Sequence, residues 1–112
     1  MSPGGYRFAA DRTGDTAVAT LAGEVDMAAT FRIEPELERL TRGTDVDTLV
    51  VDVSGVEFMD STVLGLLLET QQRLQAQGIR FLLANPPAGV RRILEVTGAG
   101  EALPVTTWPP GG

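Results

Sequence analysis

The chain has 112 residues, 43% of them apolar and only 5% aromatic, enough for one domain whose core is made of Leu, Val, Ile and Ala. Its formal charge is -6 with a pI near 4.5, which repels polyanions and sets aside nucleic acid and direct membrane contact. It has no Cys, no His and no Lys, which excludes disulfides, thiol chemistry, Cys/His zinc sites, Ser-His-Asp triads and Ser-Lys pairs and leaves only carboxylate-held hard metals open.

The start, Met1-Ser2-Pro3-Gly4-Gly5, lacks the charged-then-apolar order of a signal peptide. No apolar run approaches the ~18 residues of a spanning helix, so a cytoplasmic protein is expected. A first strand is expected over Tyr6 to Ala10, a turn over Asp11 to Asp15, and a second strand over Ala17 to Ala22, ended by Gly23-Glu24-Val25-Asp26. Met27 to Arg42 has helical spacing, with Phe31, Ile33, Leu37 and Leu40 on one broad face and Asp26 as its cap. Pro35 removes a backbone donor there, so a kink near Glu34, or a helix proper beginning at Pro35, is expected.

Thr48 to Val53 is the clearest strand, a nearly continuous apolar run of the kind found at the centre of a sheet. Ser54 to Phe58 reads as the loop leading out of it. Ser61 to Gln77 is the strongest helix, with Leu64, Leu67, Leu68 and Leu74 inward and Gly78 as its stop. Gly65 lowers its propensity by ~1 kcal/mol relative to Ala, which suggests close approach of helix to sheet. Ile79 to Ala84 is a strand, Asn85-Pro86-Pro87 a loop, Val90 to Val96 a helix ended by Gly98, and Leu103 to Thr106 a candidate last strand. The order β-β-α-β-α-β-α, with an optional final β, implies an α/β fold: a mixed sheet of four to five strands packed by helices. One domain over 1–112 is expected, with loose tails at about 1–4 and 108–112.

Functional loops collect at the C-terminal ends of parallel strands. Two segments qualify: Gly23-Glu24-Val25-Asp26, and Phe58-Met59-Asp60-Ser61-Thr62. Asp60 and Ser61 stand where a loop becomes a helix, and unpaired N–H groups with the positive dipole end favour an anion there. Position alone favours plain capping for Asp26, Asp60 and Ser61. Met59 and Val63 are apolar candidates for a partner surface, with burial in the core as the competing assignment.

Three blocks carry a family resemblance. Leu49 to Ser61 (LVVDVSGVEFMDS) resembles the centre of the STAS family, Gly23-Glu24-Val25-Asp26 its early element, and Val90 to Gly98 (VRRILEVTG) its late helix. Together they span nearly the whole chain, which is similar to the bacterial anti-sigma factor antagonists of that family. The resemblance implies that Ser61, directly after Asp60, is a phosphoacceptor. It also implies that the unphosphorylated form binds an anti-sigma factor of histidine-kinase-like ATPase fold and frees a sigma factor. Phosphorylation would block that binding and a metal-dependent serine phosphatase would restore it. Asp26, Met59, Asp60, Thr62 and Val63 are the expected partner contacts, and no catalytic residue, metal or cofactor is assigned. One departure is Val63, where the family's usual run has glycine; it is expected to narrow a kinase's approach or alter partner choice. A STAS interaction module without phosphorylation, such as a stress-signalling scaffold or a lipid-transport ABC subunit, is the alternative.

Overall fold

The hairpin that opens the chain is longer than the propensities suggest. In the computed structural model, which describes residues 5–42 and 45–110, β1 runs Tyr6–Thr13 and β2 runs Thr16–Val25. The turn expected over Asp11 to Asp15 shrinks to Gly14 and Asp15, with Gly14 at φ 61°. Left-handed backbone lets so short a turn match the twist of the two strands.

α1 (Met27–Thr41) leads to β3 (Thr48–Met59), and α2 (Ser61–Ala76) leads to β4 (Arg80–Ala84). α3 (Ala88–Thr97) and a single 3-10 turn precede β5 (Val105–Thr106). Among the described residues five strands form one sheet in the order β1-β2-β3-β4-β5. Only β1 with β2 is antiparallel; the other three pairings are parallel. This is the mixed, helix-packed sheet that the element order implies.

Ser54 to Phe58, expected as a loop, belongs to β3. β3 has 12 residues and its partner β2 has 10. The excess is absorbed at two register shifts, between Thr20 and Ala22 and between Gly23 and Glu24. A bulge interrupts a ladder locally without ending it, so a Ser-Gly pair can look like a turn and remain in a strand.

Alternate residues of the central strands divide the interior. Ala19, Leu21, Leu49, Val51, Val53 and Leu83 pack with Ile33 and Leu37 of α1, Leu64, Leu67 and Leu74 of α2, and Val90 and Leu94 of α3. Full burial of each of these Val, Leu and Ile side chains contributes roughly 1.5–3 kcal/mol. On the other face a smaller cluster joins Val18, Val50 and Ala84 to Leu82 and Trp108. Trp108 corrects the expected loose tail. Its backbone N–H donates to Asn85 Oδ1 (3.0 Å) and its carbonyl accepts from Asn85 Nδ2 (2.8 Å), while the ring packs on the sheet. The outer parts of the expected tails, 1–4 and 111–112, lie outside the described residues.

Three readings of the helices are sharpened or corrected. α1 does not begin at Pro35: it runs through the proline from Met27 to Thr41, with Ile33 and Leu37 on either side fully buried. Phe31 is not in the core. Ala29, Ile33 and Leu37 form the buried stripe, and a residue two positions from Ile33 points the opposite way on a 3.6-residue turn. At Gly65 no close approach occurs: a Cβ there would meet no atom within 4 Å.

Candidate functional site

Two strand-to-helix junctions lie side by side. β2 and β3 are parallel neighbours and their last residues, Val25 and Met59, are in register. The next residue of each chain segment is an aspartate in extended backbone, and each caps the helix that follows. Asp26 Oδ1 accepts from the Ala29 N–H at 3.2 Å, and Asp60 Oδ1 accepts from the Val63 N–H at 3.1 Å. A cap of this kind satisfies one of the N–H groups that a helix start leaves without a partner.

Asp60 does more than cap its own helix. Its second oxygen, Oδ2, accepts from the backbone N–H of Met27, the first residue of α1, at 3.0 Å. One carboxylate therefore ties the N-termini of α1 and α2 together, where the positive ends of two helix dipoles meet. Asp60 also donates its backbone N–H to the Val25 carbonyl (3.4 Å), continuing the β2–β3 pairing by one residue.

Gly23 explains the glycine of the first junction. Its φ is 86°, and a Cβ there would stand 2.3 Å from the Gly5 carbonyl oxygen. Glu24 donates to that same carbonyl (3.0 Å), so β1 passes too close for any side chain at position 23.

Ser61 is the first residue of α2 and is exposed, as is Thr62; Asp26 is exposed and Asp60 half-buried. These four positions share one end of the sheet. Met59 and Val63, expected at a partner surface, are corrected to core residues: Met59 is 2% exposed and Val63 0%. Met59 ends β3 facing the helices, and Val63 begins the buried stripe of α2 that Leu66, Leu67, Thr70 and Leu74 continue.

The apolar surface near the site comes from other residues. Phe58 is 53% exposed, Met27 57% and Phe31 74%. Phe58 stands two residues before Asp60, Met27 directly follows Asp26, and Phe31 is one helical turn beyond Met27. The signal for the last two is their i, i+4 spacing off the Ala29–Ile33–Leu37 stripe. Among the described residues no group of three or more Asp or Glu is placed to hold a metal ion. None of their helices is long and apolar enough to cross a membrane.

Two aspartate-capped helices thus rise from adjacent parallel strands, with a serine first on the second helix. The STAS domain family matches residues 7–108, and the chain belongs to that family. An anti-sigma F factor antagonist of Lysinibacillus sphaericus is 32% identical over 88 residues, covering 79% of this chain and 75% of the relative. The solved structure of the anti-sigma factor antagonist SpoIIAA in its unphosphorylated form is 29% identical with a TM-score of 0.78, covering 91% of this chain and 90% of that one. The Bacillus cell fate determinant SpoIIAA in its phosphorylated form is 28% identical with a TM-score of 0.73, covering 91% and 93%.

Proposed function

We propose that this protein is an anti-sigma factor antagonist switched at Ser61. The unmodified form binds an anti-sigma factor through the surface around the two junctions and releases the sigma factor that the anti-sigma factor held. The observation that carries the reading is the position of Ser61: exposed, first in α2, directly after the cap Asp60 and before the exposed Thr62. Met27 and Phe31 supply apolar contact area, and Asp26, Asp60 and Thr62 its polar centre. Kinship with the Lysinibacillus antagonist and with SpoIIAA, known in both phosphorylation states, supports the assignment.

The switch is electrostatic. Transfer of the γ-phosphoryl group of ATP to Ser61 Oγ releases ADP and a proton and adds a charge of about -1.5 to -2. The α2 terminus tolerates an anion, so the domain stays folded. In a docked complex the same group would be desolvated beside Asp60 and Asp26, and like-charge repulsion would eject it. The partner is a serine kinase of histidine-kinase-like ATPase fold, a serine phosphatase resets the switch, and all three act in the cytoplasm. The Val63 side chain is fully buried, which supports an open approach to Ser61.

The test is phosphopeptide mapping after incubation with the cognate anti-sigma kinase and ATP, with binding measured by calorimetry. Label on Ser61 is expected. S61A should bind as tightly as the unmodified chain and remain within about 0.5 kcal/mol of its stability. S61D should bind at least about tenfold more weakly, a loss of about 1.4 kcal/mol. Label on neither Ser61 nor Thr62 refutes the switch.

A further inference from the structure

We propose that two copies of this chain pair edge to edge through β1, in one register, with Ala9 on the two-fold axis. β1 is the first strand of the sheet, eight residues long, and its pairing with β2 shows no register shift. Among the described residues no strand pairs with its outer side. Its sequence, Tyr6-Arg7-Phe8-Ala9-Ala10-Asp11-Arg12-Thr13, has no proline.

The backbone phase follows from one hydrogen bond. Glu24 donates to the Gly5 carbonyl, so Gly5 turns its backbone toward β2. Every second residue does the same in an antiparallel ladder, which assigns Arg7, Ala9, Asp11 and Thr13 to β2. Tyr6, Phe8, Ala10 and Arg12 then present their N–H and C=O groups to the free edge. Arg12 agrees: its N–H turns away from β2 and is met by the carboxylate of its neighbour, Asp11 Oδ1, at 2.7 Å, a bond that pairing would exchange for the second copy's Tyr6 carbonyl, releasing Asp11 to that copy's Arg7. The Asp11 side chain thus already leans over the edge.

A second β1 can add antiparallel only where outward residues face outward residues. Among those registers one places Tyr6 opposite Arg12 and Phe8 opposite Ala10 as hydrogen-bonded pairs. It also places Arg7 opposite Asp11 of the second copy, twice by symmetry, with Ala9 facing Ala9. Non-hydrogen-bonded pairs are the closer kind, with Cα atoms about 4.5 Å apart, so both opposite-charge contacts occupy the tightest positions. Sliding by one step puts Arg7 opposite Ala9 or Thr13, and sliding further puts Arg7 opposite Arg7 or Asp11 opposite Asp11. The charges therefore select one register of one occupant, a second copy of this chain. On the helix side a groove of about 390 Å³, lined by Tyr6, Phe8, Arg32, Ile33, Pro35 and Glu36, borders the seam.

Charged edge residues also serve simply to repel other strands. The two purposes separate under charge exchange. R7D and D11R should each weaken self-association by about tenfold or more, because each replaces two attractive pairs by two repulsive ones. R7D/D11R together restores the pairs and should restore the dimer; pure edge protection predicts no such rescue. The pairing does not depend on the phosphorylation switch. Antiparallel β1 strands send the two Ser61 ends to opposite ends of a continuous sheet, leaving both accessible.

Sedimentation of the full chain over a concentration series, together with thiol cross-linking, tests the proposal. The sequence has no cysteine, so A9C carries a single thiol. On the axis two A9C residues fall within the Cα range of about 4.4–6.8 Å that a disulfide accepts. With oxidised glutathione as oxidant, two A9C thiols should join as two glutathione thiols are released. T13C, exposed on the same strand and off the axis, should not join. A monomer at the highest soluble concentration, cross-linking of T13C as fast as A9C, or a charge-exchanged double variant as weak as the single ones would each overturn the assignment.

Discussion

The two junctions after β2 and β3 follow one local rule and end differently. Each strand finishes in a buried apolar residue, Val25 or Met59, followed by an aspartate that caps the next helix. Asp26 satisfies its own helix alone, whereas Asp60 also takes the first N–H of α1. Beyond the caps, α1 exposes Met27 and Phe31, and α2 exposes Ser61 and Thr62. In the proposed function the first junction contributes grip and the second control. The shared carboxylate means that a change at the second is also felt at the start of the first.

Substitutions can break that comparison, beginning with the strand ends. M59E should unfold the domain or destabilise it by about 4 kcal/mol or more, because it places an unpaired charge among helix-facing core residues. A stable M59E variant with selectively impaired partner binding would return Met59 to the surface. V63G should cost about 3 kcal/mol, the sum of a lost buried valine and a flexible first turn. Phosphorylation of Ser61 should be little changed by it, since position 63 points inward; a large rate increase in V63G would show that the valine gates the serine.

The caps give the sharper test. D60A should cost about 2 kcal/mol, since it leaves the Met27 and Val63 N–H groups unmet, and D26A about 1 kcal/mol or less, since the Ala29 N–H keeps the Asp26 backbone carbonyl as acceptor. Chemical denaturation of both variants measures the difference directly, and equal losses would mean that the Met27–Asp60 bond contributes nothing. Last and smallest, G65A should stabilise by up to about 1 kcal/mol, because the added methyl meets open space and the helix gains propensity. A destabilised G65A would restore the close approach that the glycine first suggested.

The element order was legible because the apolar periods are strong and the caps stand in sequence next to the helices that they serve. Strand ends were less so. β1 reaches Thr13 and β3 reaches Met59 because a neighbouring strand supplies the ladder, in spite of Gly55 and of charges that disfavour strands locally. Phe31 reads as part of one broad apolar face with Ile33 and Leu37, yet it lies opposite the buried Ala29–Ile33–Leu37 stripe and is exposed. Trp108 looked like tail by its prolines, yet Asn85 and the open face of the sheet hold it.

At the candidate site the division is similar. The caps Asp26 and Asp60 and the helix start at Ser61 are legible in neighbouring residues, since capping is a matter of three or four consecutive positions, whereas only the family resemblance singles out Ser61 as a phosphoacceptor. That the two aspartates share one surface, that Asp60 bridges two helices 33 residues apart, and that Met59 and Val63 turn inward required the parallel pairing of β2 with β3. Hydrogen bonds within one turn are written in neighbouring residues, whereas a bond between two helix starts exists only after the sheet has set them side by side.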